Sequence, residues 1–457
     1  MADFQVEIEK MPITPDEWFE LVEVEDDNSL AQVLEEQRPA DIATLIEQIA
    51  FDLRLHIFNL LSTQAAAEVI AELDGNDQSL IIDRIPIDKR VAVASHLASN
   101  EIADLLGEIR PEHAETILRR LPQSKRTQAS ELLTYDEDSA GGIMAKEAIS
   151  APVSSTVDEV ISRIRETAWK DEDFYIVYLI DDQYLIRGTV SIKDLIVAQP
   201  DQAVSEIMDA DIIKIHVSMD REEVAGLFMR YDLVAAPVVD NEDRFLGRIT
   251  HDDVLDVMAE EAEEDIARLS GQVEIDPGER SFVRNLRSRL PWLLLGLLGG
   301  ISAAVVISNF EGQLARITSL VFFLPLVAAM GGNAGIQTSS VMVRGLATGE
   351  ISGYGLAGRL AREGILALFA GLICGIVTFF ACWFWQKDGM LALVVSFSLV
   401  FVIIFSAILG AVVPLVLKRY GMDPALATGP FITTMNDIVG LFIYLAVASM
   451  ILLNKQL

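Results

Sequence analysis

The chain has 457 residues, a formal net charge of −33 and a mean hydropathy of +0.36, high for a soluble protein. The two properties separate along its length. From Asn285 onward ten Lys or Arg stand against six Asp or Glu in largely apolar sequence, so the preceding 284 residues hold 25 basic and 62 acidic side chains. A soluble region that acidic argues against nucleic acid and anionic lipid as partners; it suits small cations, or is simply a well-solvated surface. Cys374 and Cys382 lie eight apart on one predicted helix, about 12 Å along its axis, beyond bridging distance. The five histidines show no metal-ligand spacing. No nucleophile, base and metal set converges anywhere, so no enzyme is expected. The N-terminus MADFQVEIEKM lacks a basic stretch followed by an apolar core, and we expect it to start in the cytoplasm.

Residues 1–136 read as an all-α, solenoid-like domain. From about Ser29 to Asp136, pieces such as DIATLIEQIA, AAAEVIAEL and EIADLLGEI are apolar at i, i+3, i+4 and i+7. Pro39, Gly75, Pro86, Pro111 and Pro122 punctuate them at intervals that suggest stacked helix pairs, a plain bundle being the alternative. After Tyr135 the texture changes to turn, extended stretch, helix, apolar strand, acidic turn, strand and helix, and that order occurs twice. We divide it into 137–200 and 201–258. The matching pieces GTVSIKDLI and GRITHDDVL make the duplication resemble a tandem pair of α/β cystathionine beta-synthase (CBS) domains. Such pairs commonly bind adenine nucleotides, which makes Asp194, Lys193 and Tyr175 candidate nucleotide contacts. Asp194 and its counterpart Asp253 also suit the capping of the helices that follow them.

Residues 259–284 continue an acidic helix, DDVLDVMAEEAEEDIARLSG, whose like charges repel at i, i+3 and i+4. A divalent cation would relieve that repulsion, and so would a solvated face. Residues 285–457 hold five segments long enough to cross a bilayer, near 290–308, 317–343, 361–385, 390–417 and 428–453. The connections on one side carry Arg284, Arg287, Arg289, Arg344, Arg359, Arg362, Lys418 and Arg419, and the other side only Arg316, Lys387 and Lys455. The positive-inside rule therefore puts the N-terminus in the cytoplasm and the C-terminus outside. Trp383, Phe384 and Trp385 suit an interfacial belt.

The fifth segment contains one carboxylate, Asp437, about nine residues in. A charge at the centre of a membrane helix costs roughly 2.5 to 3.5 kcal/mol on insertion scales, so it faces a hydrated path or a paired ion. The second segment mixes Gly331, Gly332, Asn333, Gly335, Gln337, Thr338, Ser339 and Ser340 into apolar sequence, and Asn333 and Gln337 share a helix face. With Thr433, Thr434 and Asn436 beside Asp437, these groups are expected to line one path.

GGNAGIQTSSVMVRGLATGEI, MDPALATGPFITTMNDIVGLFIYL and the order of helical region, CBS pair, acidic helix and five spans together resemble the MgtE family of bacterial magnesium channels. The resemblance implies a homodimeric, multi-pass protein of the inner membrane, with a pore formed mainly by the second and fifth spans. Pore residues would be Asp437, Thr433, Asn333, Gln337 and Gly429. Mg2+ would be both cargo and regulator, closing the channel through Asp220, Glu222, Asp232, Asp253, Glu261, Glu264, Asp265 and Asp423, with ATP as a candidate ligand of the CBS pair. Two positions depart from the family pattern: Ile336 and Gly429 stand where some members have Asn. The competing readings are a proton- or sodium-coupled carrier of divalent cations and a CBS-regulated anion channel.

Overall fold

A computed structural model describes residues 13–14, 16–18, 21, 27–167, 174–269, 282–347, 356–420, 422–424 and 429–453. The chain forms two compact units, Met1–Met258 and Ala259–Leu457.

From Asp27 the described residues of the first unit run as nine short helices, α1 (Asp27–Glu35), α2 (Pro39–Gln48), α3 (Phe51–Leu60), α4 (Thr63–Glu72), α5 (Gly75–Ile82), α6 (Ile87–Ala94), α7 (Ser99–Glu108), α8 (Pro111–Arg120) and α9 (Gln123–Leu132). Helices this short are not stable alone in water, so their stability comes from stacking. Each packs on the next but one, α1 on α3, α2 on α4 and so on to α7 on α9, which makes the run a superhelix rather than a plain bundle. The repeat is stricter than the breakers suggested. From Pro39 to Gln123 every helix starts twelve residues after the last. Ile49, Leu61, Leu73, Ile85, Leu97, Ile109 and Leu121, at the same step, are all buried where the chain leaves each helix. A side chain in the following helix closes the open carbonyls: Arg54 Nε donates to Ile49 O at 2.9 Å, Gln78 Nε2 to Leu73 O at 2.8 Å and Arg90 Nε to Ile85 O at 2.8 Å.

The short turn α10 (Ala140–Ile143) leads into two copies of one α/β unit. The first comprises β1 (Ser150–Pro152), α11 (Val157–Thr167), β2 (Ile176–Ile180), β3 (Ile186–Ser191) and α12 (Ile192–Val197). The second comprises β4 (Ile215–His216), α13 (Arg221–Tyr231), β5 (Ala235–Val239), β6 (Phe245–Thr250) and α14 (His251–Leu269). In each sheet the first strand runs parallel to the second and the second antiparallel to the third, with a register shift at Leu179/Ile180 in one copy and Val238/Val239 in the other. The copies exchange segments. Asp209, ahead of the second copy, pairs with Thr189 on β3, and Ala145, ahead of the first, pairs with Arg248 on β6. That exchange explains the glycine opening each matched motif, because a Cβ on Gly188 would lie 2.6 Å from Asp209 O and one on Gly247 2.6 Å from Ala145 O. The division between the two compact units falls at 258/259, within the continuous helix α14.

In the second unit α15 (Phe282–Asn309), α17 (Leu324–Ala347), α18 (Leu356–Gln386), α19 (Gly389–Arg419) and α20 (Pro430–Leu453) provide five helices long and apolar enough to cross a membrane; the short α16 (Glu311–Arg316) and a 3-10 turn precede α17. Helix α19 lies at the centre, against α17, α18 and α20, while α15 packs on α20. The loop ends are tied as well as the helices. Lys418 Nζ donates to Leu346 O at 3.1 Å, bringing the basic ends of α17 and α19 together, and Tyr444 Oη donates to Leu320 O at 3.0 Å. Trp385 packs on Phe322 and Phe323 with ring centroids 6.0 and 5.9 Å apart.

Two outcomes follow from this packing. Gly188→Ala and Gly247→Ala should each destabilise the CBS pair by about 1–3 kcal/mol through overpacking, whereas Gly226→Ala on α13, whose Cβ would meet open space, should not. Thermal melting of the three variants checks the contrast.

Candidate functional site

Helices α17 and α20 run antiparallel and approach closely because glycines face side chains. A Cβ on Gly331 would fall on the Asn436 amide, one on Gly335 on Ile432, and one on Gly332 would lie 3.5 Å from Thr433 Cγ2. The same pairing sets the rotation of α20. Asn436 is fully buried; its Oδ1 accepts from Ser406 Oγ at 2.5 Å and its Nδ2 donates to Ala328 O at 3.0 Å. One amide thus joins the second, fourth and fifth spans.

The polar run on α20 does not line one path. Asn436 faces the bundle interior, and Thr434 faces the first span, where a Cβ on Gly299 would strike its methyl group. A helix turns about 100° per residue, so Asp437 is carried off Asn436's face and shares its own with Thr433. Both are half-buried. Asp437 has no hydrogen bond or ion pair among the described residues, whereas the Thr433 hydroxyl donates to Gly429 O at 3.1 Å and lies 3.0 Å from Pro430 O. On α17, Asn333 and Gln337 are exposed. From the antiparallel contacts, Asn333 lies roughly one turn and Gln337 two turns from the level of Asp437, toward the start of α20, a turn being about 5.4 Å. Gly429 has φ 63°, a left-handed conformation that Gly and Asn both tolerate. Its departure from Asn therefore keeps the backbone geometry of the helix entry.

The carboxylates expected to bind regulatory ions are not grouped into one site among the described residues. Asp220 caps α13, accepting from Glu222 N at 2.9 Å, so these two exposed carboxylates share one end of that helix. Asp232 sits at the other end with φ 51°, roughly 16 Å away along the axis. Glu261 and Glu264 share a face of α14 as half-buried residues, Asp423 lies in the connection before α20, and the side chain of Asp265 lies outside the described residues. Among the described residues no three His, Cys, Asp or Glu side chains are grouped to hold a metal ion.

Asp253 has other partners. Thr250 donates to its Oδ2 from the backbone N at 2.8 Å and from Oγ1 at 2.7 Å, and Asn100 Nδ2 donates to its Oδ1 at 2.9 Å. Burial pushes the carboxyls of Asp253 and of neighbouring Glu101 above the ordinary range. Asn100 and Glu101 went unnoticed in the sequence, where only the apolar period of α7 is visible. Candidate nucleotide contacts come together at the start of α12: Ile192 N donates to Tyr175 O at 3.0 Å, beside exposed Lys193 and Asp194. The Tyr175 ring meets His251 edge-on with centroids 6.0 Å apart.

Comparison with known proteins agrees with this architecture. Residues 324–447 match a family model described as a divalent cation transporter, MgtE; residues 37–138 match the MgtE intracellular N domain; and 140–201 and 204–260 each match a CBS domain. The magnesium transporter MgtE of Thermus thermophilus is 36% identical over 328 residues, 71% of this chain and 72% of that protein. Its counterpart in Bacillus subtilis is 34% identical over 70% of each. The crystal structure of the cytosolic domain of the Mg2+ channel MgtE in complex with ATP superposes with a TM-score of 0.51 at 33% identity, covering 53% of this chain and 99% of that one. With a helical N domain, a CBS pair and, among the described residues, five apolar helices in succession, the chain is a multi-pass membrane protein of the MgtE family, a family of magnesium transporters and not of enzymes.

Proposed function

We propose that this chain is a Mg2+ channel, a homodimer that admits the ion across the bacterial inner membrane and is closed by Mg2+ on the cytosolic side. The observation that carries the pore assignment is Asp437, a half-buried carboxylate in a spanning helix with no protein partner among the described residues. Mg2+ sheds its water reluctantly, so a carboxylate holds it through that water, attracting the ion yet letting it leave. The exposure of Asn333 and Gln337 on the outside of a single bundle supports the dimer: amides turned to lipid lose their hydrogen bonds, and a second copy over this face would enclose them in a hydrated path with Asp437. The basic ends of α17 and α19 support a cytoplasmic N-terminus and an outer C-terminus. Where carboxylates from separate elements or subunits meet, repulsion keeps them apart until Mg2+ bridges them. Asp220, Glu222, Asp232, Glu261, Glu264, Asp265 and Asp423 are the residues for this, and each site filled at ten times its Kd favours the closed form by about 1.4 kcal/mol. ATP at Tyr175, Lys193 and Asp194 would modulate the same domains.

Asn436→Ala should leave Ser406 Oγ and Ala328 O unpaired, costing about 1–3 kcal/mol, and lower the melting temperature of the detergent-solubilised protein. Asp437→Ala should melt like the parent but lose Mg2+ uptake into proteoliposomes by about tenfold or more, a difference of about 1.4 kcal/mol; uptake equal to the parent's refutes the pore assignment. Uptake should persist when proton and sodium gradients are collapsed at fixed voltage, the result that separates a channel from a coupled carrier. Millimolar Mg2+ should protect the soluble region from proteolysis, and Asp220→Asn with Glu222→Gln should weaken that protection.

A further inference from the structure

The fourth span contains a proline, Pro414, buried within the continuous helix α19. Proline has no N–H, so Gly410 O, four residues earlier, receives no helical hydrogen bond from it. Inside a bilayer such a freed carbonyl is closed by a neighbouring helix, a Ser or Thr hydroxyl or an ordered water. The second span brings a hydroxyl to this place. Helices α17 and α19 run parallel and touch backbone to backbone: a Cβ on Gly410 would strike Gly335 O, and one on Gly335 would lie 3.3 Å from Ser406 O. One turn on from Gly335, on the same face of α17 and at the level of Pro414, stands Ser339. It is fully buried, and its Oγ has no hydrogen-bond partner among the described residues.

The two sides of this point are held differently. On one, Ser406 Oγ donates to Asn436 Oδ1 at 2.5 Å, which fixes α19 to the fifth span. On the other, toward the basic ends, Lys418 Nζ donates to Leu346 O at 3.1 Å, so the last turn of α19 is tied to the last turn of α17. Buried polar groups are rarely left unpaired, and sharp bends in helices occur mostly at prolines. Here a buried hydroxyl without a partner and a carbonyl that its own helix does not close meet at the one point where α19 bends most easily.

We propose that the basic end of the fourth span, residues 411–419, pivots at Pro414, and that the Ser339 hydroxyl closes on Gly410 O in the bent arrangement. Through Lys418 the pivot carries the end of α17 beyond Gln337, while Asn436 keeps the other half of the bundle in place. In the channel reading, on which this consequence rests, the pivot sets the width of the inner mouth; the pivot itself stands without it.

Hydrogen exchange of the full-length protein in detergent, read on residues 411–417 with 399–404 as reference, tests the pivot. Pro414→Ala, which restores the N–H, should slow exchange in 411–417 about tenfold and leave the reference unchanged. Ser339→Ala should slow it about threefold beside Pro414, and not at all in the Pro414→Ala background, where Gly410 O is closed by its own helix. An unchanged rate in Pro414→Ala overturns the proposal, as does Ser339→Ala acting equally in both backgrounds. In proteoliposomes both single variants should shift the cytosolic Mg2+ concentration that halves uptake about threefold or more, and in the same direction. No shift, or opposite shifts, overturns the role at the inner mouth. A parent that takes up no Mg2+ sinks the channel reading, and hydrogen exchange then decides the pivot alone.

Discussion

The membrane half depends on where one amide is pinned. Asn436 can be buried only because Ser406 and the Ala328 carbonyl satisfy it, and a buried amide left unpaired would cost about 1–3 kcal/mol. Once those bonds form, the rotation of the fifth span is set and the next residue, Asp437, is turned away from them. A carboxylate that stayed in the interior would need a counter-charge; held to one side it can receive a hydrated ion. The structural residue and the proposed functional one are neighbours because a helix separates adjacent side chains by about 100°.

The N-terminal unit is organised by two repeats on different scales. A step of twelve residues stacks helices too short to stand alone, and its apolar ladder leaves the remaining positions free to be acidic. The CBS duplication exchanges a segment between copies, so neither is complete without the other. These repeats give the acidic surface a rigid support, which the proposed ion sensing would need: ions can change the relation between elements only if each element keeps its own shape.

Repetition also exposes divergence. Asp194 and Asp253 occupy equivalent backbone positions and make equivalent caps, yet one meets solvent and the other the helical domain. Their helices alone cannot distinguish them, since the difference lies in a residue some 150 positions away in the chain, Asn100.

By itself the sequence determined the class of every part, because each rests on a local signal: apolar runs of membrane length, helical periodicity between breakers, two copies of one strand and helix order, and a lone carboxylate among apolar residues. Motif resemblance was enough for the family as well. What tertiary structure decided were the partnerships. The polar run from Thr433 to Asp437 divides among three faces, and only packing against Gly299, Ser406 and Ala328 shows which residue goes where. The twelve-residue step was present as bare apolar positions, but weak similarity between units hid it until stacking showed which of them coincide. The glycines of the CBS motifs and the pairing of Asp253 depend on segments distant in sequence, and no local pattern encodes a contact whose other half lies elsewhere in the chain.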